Sequence, residues 1–256
     1  MLGYILSQPA IKGIQSQGVI ANAKHYIMND QETNRGSVSE DVDERTRYQM
    51  YLPPFAGALD ADVGSIMCSY NKINGQGDPT PIGGAKSGFK PGHWSCENPV
   101  TLKGDLKGAG AGGVRGKAWE GFVMSDWGAT HSTSIKQGLD IEMPGAGWMN
   151  HDKITAQLDA GIIDQSVVDD SVTRILTTMY KFGVMDKYEQ WDAKKLLNNV
   201  TTEASVQMAR YLSTQSHVLI KNEGGILPLP KGKLTKKVAV IGLADQSNCL
   251  VHGTCA

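Results

Sequence analysis

The chain has 256 residues, of which 40% are hydrophobic and 20% charged, an ordinary balance for a globular protein of one large domain or two smaller ones. Its 25 basic and 26 acidic side chains leave a net charge of -1, which excludes electrostatic attraction to nucleic acid or to an anionic membrane as a basis for binding. No apolar run reaches the roughly 20 residues of a membrane-spanning helix. The N-terminal residues MLGYILSQPAIKG lack the basic start and apolar stretch of a signal peptide.

The cysteines are too few for a disulfide scaffold and lack the paired spacing of a zinc site; they stand at Cys68, Cys96, Cys249 and Cys255. Cys68 lies in the apolar run GSIMCSY, which is typical of a buried free thiol. Cys249 and Cys255 bracket a short loop and could pair in an oxidising compartment. A glycosylation sequon begins at Asn199 and is a weak indication of secretion.

In chain order, the pattern first predicts a strand at 18–26, a helix at 40–60 that is interrupted by Pro53-Pro54, and a strand at 63–70. A long glycine-rich surface loop is predicted at 75–117. Strands at 121–127 and 138–144 and helices at 164–183 and 203–220 follow. A Pro/Lys-rich connector, ILPLPKGKLTKK, then leads to a further strand at 238–243. Strands that alternate with helices favour a parallel α/β sheet or a barrel.

Each of the first four predicted strands ends in polar or charged side chains: Lys24 and His25, Ser69 to Asn71, Ser125 and Asp126, and Glu142. The carboxyl ends of parallel strands converge on one open face, where α/β proteins carry their chemistry. The sequence therefore predicts a functional site at this edge. A closed (β/α)₈ barrel needs eight strands, and only four are predicted before residue 190. We expect half a barrel, a linker and the opening strand of a second domain.

Five blocks in fixed order carry a family resemblance: KGIQSQGVIANAKHYIMNDQETNR, YLPPFAGAL, GSIMCSYNKING, GFVMSDWGATHS and GLDIEMPG, followed by LIKNEGGILPL and VAVIG. Together they resemble glycoside hydrolase family 3, of the β-glucosidase type. The resemblance implies α/β architecture: residues 1–190 as the C-terminal part of a TIM-type catalytic barrel, 191–235 as a helical linker, and 236–256 as the first strand of an α/β sandwich domain. The KHFPGHG loop of the family's N-acetylglucosaminidases is replaced by KHYIMND, which disfavours that branch.

The activity that the resemblance implies is retaining hydrolysis of β-linked glucose or xylose from the non-reducing end, which uses two carboxyl groups about 5–5.5 Å apart. Asp126 matches the nucleophile. The glutamate that serves as acid/base in this subgroup lies in the second domain, beyond residue 256. The substrate would be a carbohydrate, no metal or organic cofactor is expected, and the protein would be secreted. The alternative to Asp126 as nucleophile is an aspartate that caps the next helix.

The other residues that the resemblance implicates bind the sugar: Lys24, His25, Arg35, Met67, Tyr70 and Trp127. Alternative roles are a surface position for the Lys-His pair, a loop salt bridge for Arg35, core packing for Met67 and Tyr70, and a helix-sheet wedge for Trp127. A phosphorylase or transglycosylase could use the same site. The alternative function is a truncated, non-catalytic fragment that at most binds sugar or a complementary chain.

Overall fold

The computed structural model describes residues 1–73, 92–108, 113–114, 116, 118–186 and 192–229. In chain order its regular elements are α1 (Leu2–Gln15), β1 (Asn22–Tyr26), β2 (Ser39–Glu40), α2 (Glu44–Thr46), α3 (Leu52–Asp60), β3 (Ser65–Cys68), β4 (Lys72–Ile73), β5 (His93–Trp94), β6 (Phe122–Ser125), α4 (His151–Asp159), α5 (Gln165–Lys181) and α6 (Glu203–Ser216). The chain separates into two compact units, Met1–Gln190 and Trp191–Ala256. The predicted strand at 238–243, Cys249 and Cys255 lie outside the described residues.

A three-stranded parallel sheet in the order β1-β3-β6 forms the centre of the first unit. Ile66 of β3 pairs with Ala23 on one side and with Val123 on the other, and both Ile66 and Val123 are fully buried. The first three predicted strands are thus confirmed, with shorter bounds. A second small sheet, β2-β4-β5, combines one parallel and one antiparallel pair. These parallel sheets and the surrounding helices confirm the α/β class.

The prediction of a regular strand at 138–144 is wrong. Ile141 makes only an isolated parallel bridge to Met124, on the far side of β6 from β3. The N–H groups of Asp140 and Ile141 both donate to the carbonyl of Val123, and the carbonyl of Ile141 accepts from the N–H of Ser125, so regular parallel pairing is limited to this one residue. The segment still continues the strand order across the sheet.

The helix predicted at 40–60 begins at Glu44, where the side chain of Asp43 accepts a hydrogen bond of 2.6 Å from the N–H of Thr46. A π-helical turn, Arg47–Tyr51, joins α2 to α3. The two prolines do not interrupt the helix as predicted: the helical path continues from Glu44 to Asp60, and the π-helical turn Arg47–Tyr51 lies just before them. The helices predicted at 164–183 and 203–220 are confirmed, although α6 ends at Ser216.

Helices α1 and α4 were not predicted; α1 contains Pro9 and buries only Ile11, and α4 has no buried residue. Helix α1 nevertheless packs closely on α3 at Gly57, where an added Cβ would lie 2.3 Å from the carbonyl oxygen of Tyr4. The Tyr4 hydroxyl also donates to the carboxylate of Asp60. None of the described helices is long and apolar enough to cross a bilayer.

The sequence predicted a surface loop at 75–117. This prediction is wrong for the described residues from 92 to 107. Cys96, Leu102 and Leu106 have no exposed surface, and a π-helix spans Val100–Leu106. Cys68 is joined to Cys96 in a disulfide, which overturns the prediction of a free thiol. The many glycines obscured this packed stretch, because its apolar residues are too sparse to form a clear period.

A buried ion pair ties this stretch to β6. Lys107 Nζ lies 2.8 Å from Asp140 Oδ1, and the second oxygen of Asp140 accepts a 2.7 Å hydrogen bond from the N–H of Val123. Both side chains are more than nine-tenths buried. Burial lowers the pKa of Lys107 and raises the pKa of Asp140, and the opposite charge of each partner counteracts the other's shift.

We predict that Asp140→Asn destabilises the fold by about 3–5 kcal/mol, because the ammonium of Lys107 would then be buried without a counter-charge. Urea denaturation followed by circular dichroism measures the loss. The matched control is Asp152→Asn, whose side chain is 98% exposed beside His151 and whose removal should leave the midpoint unchanged. Equal midpoints for the two variants would contradict the prediction.

Candidate active site

The candidate site lies at the carboxyl edge of the central sheet. Asp126 follows directly after β6, and its N–H donates to the carbonyl of Cys68 at 3.2 Å, which continues the parallel pairing of β3 with β6 by one residue. Asp126 is only 8% exposed. Its carboxyl group is therefore held on a rigid strand end, close to the ends of the two neighbouring strands.

Two donors face the carboxylate of Asp126. The N–H of Trp127 donates to Oδ1 at 2.7 Å, and Nε2 of His25 lies 3.1 Å from Oδ2. Since a carboxylate only accepts, Nε2 must carry the hydrogen. Burial and then the charge of Lys24 lower the pKa of His25, while the charge of Asp126 partly opposes them. With its pKa lowered below 6.5, the His25 ring is mostly neutral at pH 7 and donates its Nε2 hydrogen to the carboxyl group of Asp126.

Tyr70 and Arg35 extend this arrangement. The Tyr70 hydroxyl donates to the carbonyl of Trp127 at 3.0 Å. Burial raises the pKa of Tyr70, and the charge of Asp126 and a hydrogen bond with its side chain add to that effect. The guanidinium of Arg35 lies 4.5 Å from the centre of the Tyr70 ring and also pairs with Glu32 at 2.7 Å. The structure thus brings Arg35 to the site while it forms the loop salt bridge that was its alternative role.

The remaining sugar-binding candidates differ in position. Lys24 precedes His25 on β1 and is exposed, and its charge acts on His25. Met67 is 6% exposed within β3, where it pairs with Met124, so its placement also fits core packing. The indole of Trp127 is 53% exposed and is therefore not wedged between a helix and the sheet.

A segment beside the site was missed from the sequence. Ser95 donates its hydroxyl to the carbonyl of Tyr26 and accepts from the N–H of Ser69 at 3.3 Å, so it closes against the ends of β1 and β3. The disulfide between Cys68 and Cys96 joins the same two regions. The pair of cysteines on either side of the glycine-rich stretch was the signal available for this contact.

A cavity of about 340 Å³ lies apart from Asp126, lined among others by Lys103, Lys107, Asp140 and Arg174. The buried ammonium of Lys107 in this lining is paired with Asp140, and Nε of Arg174 lies 2.8 Å from a carboxylate oxygen of Asp170. In the part of the chain that the structure describes, no group of three or more His, Cys, Asp or Glu side chains could hold a metal ion.

We predict that His25 titrates below its ordinary pKa of about 6.5, and that Asp126→Asn lowers the pKa of His25 further, because it removes a negative charge that favours the imidazolium. NMR titration of the histidine ring signals, assigned with His25→Gln, measures both values. Asp152→Asn serves as the control and should leave the His25 titration unchanged. A rise in the pKa of His25 in Asp126→Asn would show that the two side chains do not interact as described.

Comparison with known proteins gives consistent matches. The model of the glycosyl hydrolase family 3 N-terminal domain matches residues 4–178. The chain is 39% identical to a probable β-glucosidase L of Emericella nidulans, over 94% of this chain and 31% of that protein. It is 34% identical to β-glucosidase cel3A of Pyricularia oryzae, over 96% and 31%. The chain thus spans about a third of the length of these relatives.

Solved structures match as well. The β-glucosidase D2-BGL of Chaetomella raphigera superposes with a TM-score of 0.66 at 35% identity, over 88% of this chain and 30% of that one. DesR, a β-glucosidase of Streptomyces venezuelae solved with D-glucose, gives a TM-score of 0.65 at 32% identity, over 86% and 26%.

Proposed function

Because the chain belongs to glycosyl hydrolase family 3, we propose that it supplies the nucleophile of a retaining β-glucosidase, with Asp126 in that role. The observation that carries the proposal is the pair of donors on this nearly buried carboxylate, the N–H of Trp127 and Nε2 of His25. Such donors favour the ionised form that attack requires, and they fix its orientation at a strand end.

In the first step, one carboxylate oxygen of Asp126 forms a bond to the anomeric carbon of a β-glucoside. The bond from that carbon to the leaving oxygen breaks, and the leaving group takes up a proton from the acid/base. In the second step, water gives a proton to the acid/base, now deprotonated, and attacks the anomeric carbon; the bond to Asp126 breaks, which releases the sugar and restores the carboxylate. Each carboxylate oxygen has a second lone pair, so Asp126 can attack while it keeps its two hydrogen bonds.

The sugar-binding residues are inferred from the hydrogen-bonding groups and the apolar surfaces of their side chains. Lys24 and Arg35 are the donors for the hydroxyls of the sugar that is attacked, a glucose or xylose unit at the non-reducing end, and His25, whose Nε2 hydrogen faces Asp126, accepts from a sugar hydroxyl through Nδ1. Met67 and Tyr70 would line that subsite. The half-exposed indole of Trp127 would stack on the next sugar, because a pyranose has an apolar face that suits an aromatic ring.

The domain organisation is also proposed. Residues 1–190 would form the C-terminal part of a TIM-type barrel, 191–235 a helical linker, and 236–256 the first strand of an α/β sandwich domain. The strand order β1-β3-β6, continued by the bridge at Ile141, follows the chain as consecutive barrel strands do. The acid/base glutamate would come from outside these 256 residues. The disulfide and the sequon at Asn199 support a secreted protein.

The nucleophile can be tested without the acid/base. We predict that 2,4-dinitrophenyl 2-deoxy-2-fluoro-β-D-glucoside labels the chain at Asp126, since dinitrophenolate departs without a proton and the fluorine slows hydrolysis of the ester. Intact-mass measurement followed by peptide mapping locates the adduct. Asp126→Asn should give no adduct, and Asp152→Asn should be labelled like the unaltered chain. An adduct that persists in Asp126→Asn would refute the assignment; a folded chain that is never labelled would favour the non-catalytic fragment.

The sugar contacts can be tested by the rate of the same labelling. We predict that Lys24→Ala and Arg35→Ala each slow it about 10- to 100-fold, the range expected for loss of a hydrogen bond from a charged donor. Their combined effect should be less than the product of the single effects if both hold one sugar. Lys12→Ala, at an exposed position on α1, is the control. Fully multiplicative losses that are the same for a deoxy analogue would argue against contact with the sugar.

A further inference from the structure

A cluster of aromatic and charged side chains lies beside the turn that follows Asp126. The indole of Trp94 stacks on the imidazole of His131, with ring centroids 3.8 Å apart and ring planes 18° from parallel. The ammonium of Lys72 lies 4.5 Å from the centre of the same indole. The backbone N–H of His131 donates to Glu97 Oε1 at 3.0 Å. We refer to Lys72, Trp94, Glu97 and His131 as the Trp94 cluster.

The cluster holds one end of the turn 126–131, and Asp126 forms the other end. Inside the turn, the N–H of Ala129 donates to the carbonyl of Asp126 at 3.0 Å, and Ala129 is fully buried. Gly128 has a φ of 76°, which favours glycine, and its N–H donates to the carbonyl of Met143 at 3.1 Å. The exposed indole of Trp127 therefore projects from a backbone that is fixed on both sides.

The Trp94 cluster is itself anchored to the strands of the site. Its residues Lys72 and Trp94 pair across β4 and β5. The next residue along the chain from Trp94 is Ser95, which bonds to the end of β1, and Cys96 follows with its disulfide to β3. The Trp94 ring contacts Lys72 on β4 and His131 at the end of the turn 126–131, and through His131 it can act on that turn.

We propose that Trp94 is a positioning residue that, by its stack on His131, fixes the turn 126–131 and so orients the Trp127 indole toward the sugar next to the one attacked. The inference rests on the proposed function and adds the residue that determines the placement of its stacking surface. It separates two properties: the Trp94 cluster governs affinity for the leaving sugar, and the attack by Asp126 depends on His25 and the N–H of Trp127.

The test uses the full chain with 5-fluorotryptophan, in which the fluorine NMR signal of Trp127 is assigned by its loss in Trp127→Phe. Trp94→Ala and His131→Ala should shift or broaden the Trp127 signal, and Trp94→Phe, which keeps an aromatic ring, should largely restore it. The matched control is His93→Ala, because His93 is the exposed neighbour of Trp94 on β5. The signal of Trp148, which is outside the cluster, should stay in place and report that the fold is intact.

The second measurement uses cellobiose to protect Asp126 from the fluoroglucoside. In Trp94→Ala and His131→Ala, the cellobiose concentration that halves labelling should rise about three- to tenfold, as expected for loss of one aromatic pair. The labelling rate without cellobiose, measured with 2-deoxy-2-fluoro-β-D-glucosyl fluoride, whose leaving group has no ring to stack on Trp127, should change less than the protecting cellobiose concentration does.

A Trp127 signal that stays unmoved in both alanine variants would overturn the positioning role, as would an equal shift in His93→Ala. If Trp94→Ala does not fold, His131→Ala gives the same comparison with Trp94 in place. Failure of the unaltered chain to be labelled would instead favour the non-catalytic fragment and count against the proposed function. The NMR comparison requires no catalysis and tests the positioning role separately.

Discussion

A carboxylate that is almost removed from water keeps its charge only if donors replace the water that it has lost. Asp126 meets this constraint with a backbone N–H from the next residue and a ring nitrogen from a strand two positions away in the sheet. The second donor depends on the strand order, because β3 has β1 on one side and β6 on the other, and His25 lies where the β1–β3 register shifts between Ala23 and Tyr26. Sheet pairing, and not local sequence, therefore creates the environment of the carboxylate.

Two buried ion pairs in the interior of the first unit also depend on partners from distant parts of the chain. Lys107 is buried against Asp140, and Arg47 is buried against Asp105 at 3.2 Å, with the hydroxyl of Tyr48 as a further donor to Asp105. Both pairs tie the described residues between 92 and 107 to other elements. In each pair, burial raises the pKa of the aspartate and the partner's positive charge opposes the rise. The charge on each aspartate thus depends on contact between distant parts of the chain.

The sequence was sufficient to predict those elements whose pattern is contained in a short stretch of residues. Short β-branched runs predicted β1, β3 and β6, and the polar residues that follow these runs predicted the edge of the sheet where the site lies. It failed where packing determined the outcome. The segment containing Ile141 has strand composition but pairs with β6 only at that residue, and the helix continues through Pro53 after a π-helical turn. No local pattern could reveal that Trp94 stacks on His131, since 37 residues separate them in the chain.

The disulfide has a further consequence for this chain in a reducing compartment. Cys68 ends β3, and Cys96 follows Ser95, whose hydroxyl donates to the carbonyl of Tyr26. A cross-link between residues 28 apart stabilises a folded chain by about 2–4 kcal/mol, because it restricts the unfolded chain. Reduction by cytosolic thiols would remove that contribution from the edge of the sheet that carries Asp126, so the oxidising power of the surroundings would determine how firmly this edge is held.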